Sequence, residues 1–387
     1  MRPISREHLR DLFLLDPNIV FLNHGSFGAC PRTVFEEYQR LQRELERQPV
    51  LFLDREHRGR MAAARARLAE FVGADADDLV FVANATTGIN IVARSLRLEP
   101  GDEILTTDHE YGAIDRTWAF IAGKRGARIV RAEIPVPVAD SSDMVEAVWS
   151  KVTGRTRVLS ISHITSSTAL TMPIEPVIRR AREAGIFIVI DGAHAPGQIP
   201  LSLDELGADA YVGNCHKWML APKGAGFLHV RRDVQPLLEP LVVSWGWESE
   251  MPGPSRFVDH HEWQGTRDPA AFLAVPTAIE FMRDNNWDTV GASCRELRRA
   301  AVRSICGVTG LDPLCAEGSA WDWNAQMASL PLPTDDGEGL NARLYDEHRI
   351  EIPIVRWKGQ WLIRISIQAY NTEDDITALV QALKGLL

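Results

Sequence analysis

The sequence predicts an α/β protein: a large domain built on a mostly parallel sheet flanked by helices, followed by a smaller α+β C-terminal unit. Three observations lead there. From about residue 50 to 235, short apolar runs rich in β-branched residues alternate with segments of helical period. That alternation, with strands apolar enough for burial on both faces, is the pattern of a helix-covered parallel sheet. After Val230 the composition changes, and residues 236–276 are rich in Pro, Gly, Trp and Ser without a clear period.

The N-terminal text MRPISREHLRDLFLLDPN carries charges throughout and lacks an apolar core of signal-peptide length. Strands are expected at Leu79–Val82, Glu103–Thr106, Arg128–Ala132, Arg157–Ser162, Ile186–Ile190, Asp209–Val212 and Gly226–Val230. A helix is expected over Ile174–Ala184, where Ile174, Val177, Ile178 and Ala181 share one face. Residues 236–276 read as long loops around a site, and a helix resumes over Thr277–Asn285. Residues 290–387 read as the smaller unit, ending in the strand WLIRISIQAY and the helix TEDDITALVQALKGLL. Thr372 and Asp375 form a capping-box start for that helix, with Asp in place of the usual Glu or Gln. The expected division is a large domain over 20–265, with 1–19 and 266–387 forming the small one.

The 387 residues, 45% of them hydrophobic, suffice for a large core. A net charge of −10 advertises neither nucleic acid nor anionic lipid as a partner. The five cysteines show no CxxC spacing, so neither a disulfide framework nor a metal site is indicated. No apolar run reaches the roughly 18 residues of a membrane span. The expectation is a cytoplasmic enzyme without membrane or nucleic-acid partners.

The chemistry concentrates on Asp191 and Lys217. Asp191 ends the apolar run IFIVI, and Lys217 follows the run Tyr211–Val212 with a Gly-rich stretch behind it. The carboxyl ends of parallel strands are where α/β sheets bind ligands. A carboxylate and an amine placed there suit pyridoxal phosphate: the amine forms a Schiff base with the aldehyde, and the carboxylate keeps the pyridine nitrogen protonated. NATTGIN, Asn84–Asn90, opens a helix after a strand, so Ala85, Thr86 and Thr87 are candidate phosphate contacts. Asn214, His216 and Thr266 are further donors for a phosphate that needs several. In DHEYGA an aromatic ring suited to stacking on a pyridine is Tyr111, with His109 the competitor. SHITSSTA offers His163 or Ser166 to the same crevice. Arg364, in RISIQAYN, has the fork that grips a substrate carboxylate in two places. For each of these taken alone, a capping, packing or surface role fits the local text equally well.

In their order along the chain, LNHGSFGACP, NATTGIN, DHEYGA, DGAHAPG, HKWMLAPKGAGFLHV, SWGW, EWQGTRD and RISIQAYNTEDDI resemble the class V aminotransferase family of fold-type I pyridoxal phosphate enzymes, in its isopenicillin N epimerase-like branch. The resemblance spans essentially the whole chain. It implies that Lys217 is the Schiff-base lysine, that Asp191 pairs with the pyridinium and that His194 lies near the ring hydroxyl. It also implies Thr86, His216 and, from a second subunit of a homodimer with shared sites, Thr266 as phosphate ligands. Arg364 resembles the carboxylate arginine, and Asn23, His24 and Gly25 lie where the N-terminal loop enters the site. The chain departs from the pattern at Asn214–Cys215, where Ser-Gly is common, and at Ser167 and Ala169, where Pro and Gly are. IEIPIVRWKGQWLIR lacks the cysteine of the desulfurase loop, which argues against persulfide chemistry.

The freed Lys217 amine is then the general base for the substrate α-proton. Return of a proton to the opposite face gives epimerisation, for which Tyr111, His109 and His24 are candidates. Elimination of a β-substituent (a C–S lyase) and transamination are the alternatives. A cofactor-binding regulator fits less well, because such proteins append a basic DNA-binding domain and this chain has neither the residues nor the charge.

Overall fold

The computed structural model describes residues 6–315 and 323–387, without the side chains of residues 6–8. The first five residues of the N-terminal segment lie outside the described residues. Seven strands form the central sheet in the order Leu79–Val82, Gly226–Val230, Ala210–Asn214, Phe187–Gly192, Thr156–Ser162, Glu103–Thr107, Arg128–Ala132. Only Gly226–Val230 runs against the others. Each strand starts and ends within two residues of its expected bounds.

Side chains alternate between two cores, as strand geometry requires. Leu159, Ile161, Ile188, Ile190, Tyr211 and Phe227 enter one core. Val158, Val189, Ala210, Val212 and Leu228 enter the other. Helix Ala85–Ser95 and helix Gly112–Arg125 bury Ile89, Val92, Ile114 and Trp118 on the second face. Helices His57–Val72 and Ile174–Glu183 cover the first. The edge strand Arg128–Ala132 turns Arg128 and Arg131 outward, which discourages further strand pairing.

The stretch expected to be loops contains helices Arg256–Glu262 and Ala270–Leu273. These are seven and four residues long, too short to show a period in the sequence. Helix Val275–Asp284 follows and packs on helices Arg32–Arg47 and His57–Val72. In the C-terminal part, Ile354–Trp357, Gln360–Ser366 and Met327–Pro331 form an antiparallel sheet. Helix Trp287–Thr309 and helix Glu373–Leu386 pack against each other beside it, and the latter opens with the Thr372–Asp375 capping box. Val20–Phe21 pairs with Ile350–Glu351, which carries the N-terminal loop to the C-terminal sheet. No helix among the described residues is long and apolar enough to cross a membrane.

Candidate active site

The carboxyl ends of the parallel strands bring the chemistry together. Ser162 and Asp191 are register partners on adjacent strands, as are Asp191 and Val212 on the next pair. Asn214 ends the third strand, and the chain then turns through His216 and Lys217 before reversing as Gly226–Val230. A crevice of about 350 Å³ opens above these ends. Its lining includes Tyr111, Ser166, Asp191, His194, His216 and Lys217.

Lys217 is partly buried, and its Nζ lies 3.1 Å from His194 Nε2. Burial, together with the nearby Arg364 charge, lowers its pKa to about 8 against the opposing pull of Asp191. Asp191 accepts the Ala193 N–H at Oδ1, 3.0 Å, and burial raises its carboxyl above the ordinary range. A buried carboxylate on a crevice wall with a depressed lysine nearby calls for a cationic N–H. A pyridinium supplies one, so the residues present fit pyridoxal phosphate.

At the phosphate end the donors sort themselves. Thr87 N–H is taken by Asn84 Oδ1, which caps the helix, and Ala85 N–H by Asn214 Oδ1, both at 2.9 Å. Thr86 lines the crevice, and of the three expected helix contacts it is the one whose N–H remains available. Asn214 therefore ties the lysine loop to the helix start. His216 Nδ1 donates to Ala225 C=O, 3.1 Å, so its Nε2 donates to an anion only as imidazolium. Burial holds His216 down to about 4, and a phosphate dianion bound beside it would supply the opposing field. Thr266 is exposed and does not line this chain's own crevice.

The N-terminal loop enters the site as expected, but the side chains facing the crevice are Ser26 and Phe27. Asn23 is turned to Glu351, 2.9 Å, and accepts from Ser26 Oγ. His24 is fully buried, with Nδ1 2.9 Å from Tyr370 Oη and Nε2 donating to Lys217 C=O at 3.0 Å. It clamps the lysine backbone, and burial lowers it to about 3. Gly25 packs against Met327, Ser366 and Arg364, where a Cβ would sit 2.6 Å from Met327 Sδ. Gly28, at φ +72°, lets the loop press on the lysine turn: a Cβ there would meet His216 C=O at 2.1 Å.

Arg364 is buried on the central strand of the small sheet. Its Nη1 donates to Ser166 C=O at 2.8 Å and to Ser166 Oγ at 3.2 Å, and Nη2 donates to Ser26 Oγ at 2.9 Å. Its Nε is buried without a partner. Both serines line the crevice, so the guanidinium is held at its wall. Tyr111, about half exposed, precedes helix Gly112–Arg125 and lines the crevice. His109 is buried between Thr168, 2.8 Å from Nδ1, and the Trp357 ring. His163 points to Tyr211 Oη at 2.9 Å. Neither histidine lines the crevice.

Three further residues adjoin the site, of which Glu110 and Trp218 escaped the sequence reading and Lys223 stood there as the competing amine. Glu110 accepts from Thr107 Oγ1 and Ser162 Oγ, each at 2.6 Å, and burial raises it to about 7. Lys223 lines the crevice and donates to Gly28 C=O at 2.9 Å. Trp218 Nε1–H donates to His194 Nδ1 at 3.3 Å. Glu110 adjoins Tyr111 and Trp218 adjoins Lys217, yet only the fold turns them to these partners. None of the five cysteines lines the crevice.

The family model Aminotransferase class-V matches residues 30–379. An isopenicillin N epimerase of Amycolatopsis lactamdurans is 36% identical over 97% of each chain. A probable chloroplastic L-cysteine desulfhydrase of Arabidopsis thaliana is 29% identical, over 96% of this chain and 84% of the plant protein. Among solved structures, a cystine C–S lyase in complex with its product cysteine persulfide superposes with a TM-score of 0.84 at 22% identity, over 96% of this chain and 98% of that one. That likeness shows the fold.

Proposed function

The chain belongs to the aminotransferase class-V family and is a pyridoxal-phosphate-dependent enzyme, and we propose that it epimerises the α-carbon of an amino acid or amino-acid-derived substrate. Bound in the crevice, pyridoxal phosphate supplies an aldehyde that joins to amines and a protonated ring that takes up the electron pair left when an α-carbon bond breaks. Lys217 would hold it, Asp191 would face its ring nitrogen, and Thr86, His216 and the partner subunit's Thr266 would hold its phosphate. Arg364 grips the substrate carboxylate, and the Lys217 Nζ takes the α-proton.

The observation that carries epimerisation is that two acid/base groups enter the crevice from different elements. Lys217 comes from the buried turn and Tyr111 from the exposed start of a helix. Of the three far-face candidates, His24 and His109 are turned to protein partners and Tyr111 faces the crevice. In this reading Lys217 removes a proton from one face and Tyr111 Oη delivers one to the other. The likeness to the epimerase, closer than that to the desulfhydrase, supports it.

The test follows single enantiomers in deuterated water. Epimerisation gives α-deuterated product of both hands, and Tyr111→Phe should keep α-proton exchange while losing inversion by 10²-fold or more, about the worth of one general acid. Release of sulfide and a keto acid from cysteine would establish the lyase reading instead. Transfer of the amino group to an added keto acid would establish transamination.

The shared-site homodimer is part of the same proposal. Phe27, Val243, Trp245 and Met251 are between 66% and 87% exposed, and Phe27 borders the crevice. Exposed apolar side chains of this kind suit contact with a second copy of the chain.

A further inference from the structure

Behind Lys217 lies a short chain of ring nitrogens whose proton positions are fixed by elementary hydrogen-bond chemistry. The Trp218 indole Nε1 always carries a proton and never accepts. It donates to His194 Nδ1 at 3.3 Å, so that nitrogen presents its lone pair. Burial drives His194 well below the ordinary imidazole range, so the ring is neutral and holds a single proton. That proton is therefore on Nε2, the nitrogen facing Lys217 Nζ at 3.1 Å. An N–H there needs an acceptor. The amine of Lys217 accepts through its lone pair, whereas an ammonium has none and would set two donors against each other.

The surroundings hold this arrangement in place. Gln198 Nε2 donates to His194 C=O at 2.6 Å, and His24 clamps Lys217 C=O. The His24 ring packs on Trp218, centroids 4.8 Å apart. Trp218 is wholly buried, so no water competes for its N–H.

We propose that Trp218 is a positioning residue: it sets the Nε2–H tautomer of His194 and thereby favours the amine of Lys217 over its ammonium, the amine being the form that attacks a carbonyl and accepts a proton. No proton leaves the trio; the tautomer determines only which atom offers the lone pair. The functional consequence rests on Lys217 being the cofactor-carrying amine, whereas the tautomer itself does not.

The test is nitrogen-15 spectroscopy of the histidine-labelled holoenzyme, with the His194 signals identified by their loss in His194→Gln. Long-range proton–nitrogen correlations should show a pyrrole-like Nε2 and a pyridine-like Nδ1 across the neutral range. In Trp218→Phe both shifts should move toward the average of the two tautomers. A pyridine-like Nε2 in the unaltered enzyme overturns the proposal, and that measurement stands even if Trp218→Phe does not fold. A folded Trp218→Phe that keeps the original pattern reduces Trp218 to packing and overturns it as well. Were the cofactor found on another lysine, the tautomer result would be unaffected, so the two failures are distinguishable.

Discussion

Replacing Arg364 by alanine removes the cation held at the crevice wall by Ser26 and Ser166. Its two terminal nitrogens are spaced to grip a carboxylate in parallel, and its Nε has no protein partner. Hydrogen bonds to charged groups contribute roughly 1.5–3 kcal/mol each, so two amount to about 3–6 kcal/mol. At about 1.4 kcal/mol per decade, the loss in kcat/KM should be on the order of 10²–10⁴-fold. Most of it should appear as a raised KM, because the contact is made to bound substrate before any bond breaks. Arg364→Lys should recover part of the loss through charge, but not the second parallel donor. The assay is α-proton exchange of the turned-over amino acid in deuterated water, with KM and kcat measured separately and the cofactor absorption recorded as a control for an intact site. An unchanged KM in Arg364→Ala, with the cofactor spectrum intact, would refute the reasoning. The alternatives are poorly placed to inherit the role: Arg267 lies over the Phe272 ring and donates to Glu262 C=O, and Arg356 lies over Trp361, whereas Arg364 is held by the crevice-lining Ser26 and Ser166.

The other predictions are these. Asp191→Asn keeps the shape but removes the charge proposed to face the ring nitrogen; each pKa unit lost there is about 1.4 kcal/mol, so α-proton exchange should fall by orders of magnitude, and near-normal exchange contradicts the electron-sink role. Cofactor uptake by the apoprotein should rise with pH through about 8 and then level, since Lys217 is an ammonium below that value and an amine above it; a rate still climbing toward the ordinary lysine value of 10.5 contradicts a depressed amine. Thr266→Ala should weaken cofactor retention while sedimenting as the unaltered protein does, and a fully active monomer at nanomolar concentration contradicts shared sites.

The parts of this molecule legible in the sequence are those determined by local text. Buried strands announce themselves as apolar runs, the edge strand Arg128–Ala132 was readable from Ile129 and Val130 at its centre, and Thr372 with Asp375 marked a helix start that the structure forms. Short helices such as Ala270–Leu273 have too few residues to show a period. At the site, residues following strand ends were readable because topology alone places them at the crevice: Asp191, Lys217, Tyr111 and Ser166 all line it. What could not be read depends on distant partners. Ser26 meets Arg364 across 338 residues, and His24 meets Lys217 across 193, which makes it a backbone clamp rather than a group facing the crevice. The helix start NATTGIN was legible as a candidate anion site, but not that Asn84 and Asn214 already occupy two of its N–H groups.

Lys217 as the point of cofactor attachment is the claim on which the rest depends. Borohydride reduction of the holoenzyme followed by peptide mapping tests it directly. The account predicts one modified peptide, with the phosphopyridoxyl group on Lys217, and no modification in Lys217→Ala. The competing amine in the same crevice is Lys223, anchored to Gly28 C=O. A label on Lys223 in the unaltered enzyme would contradict the account.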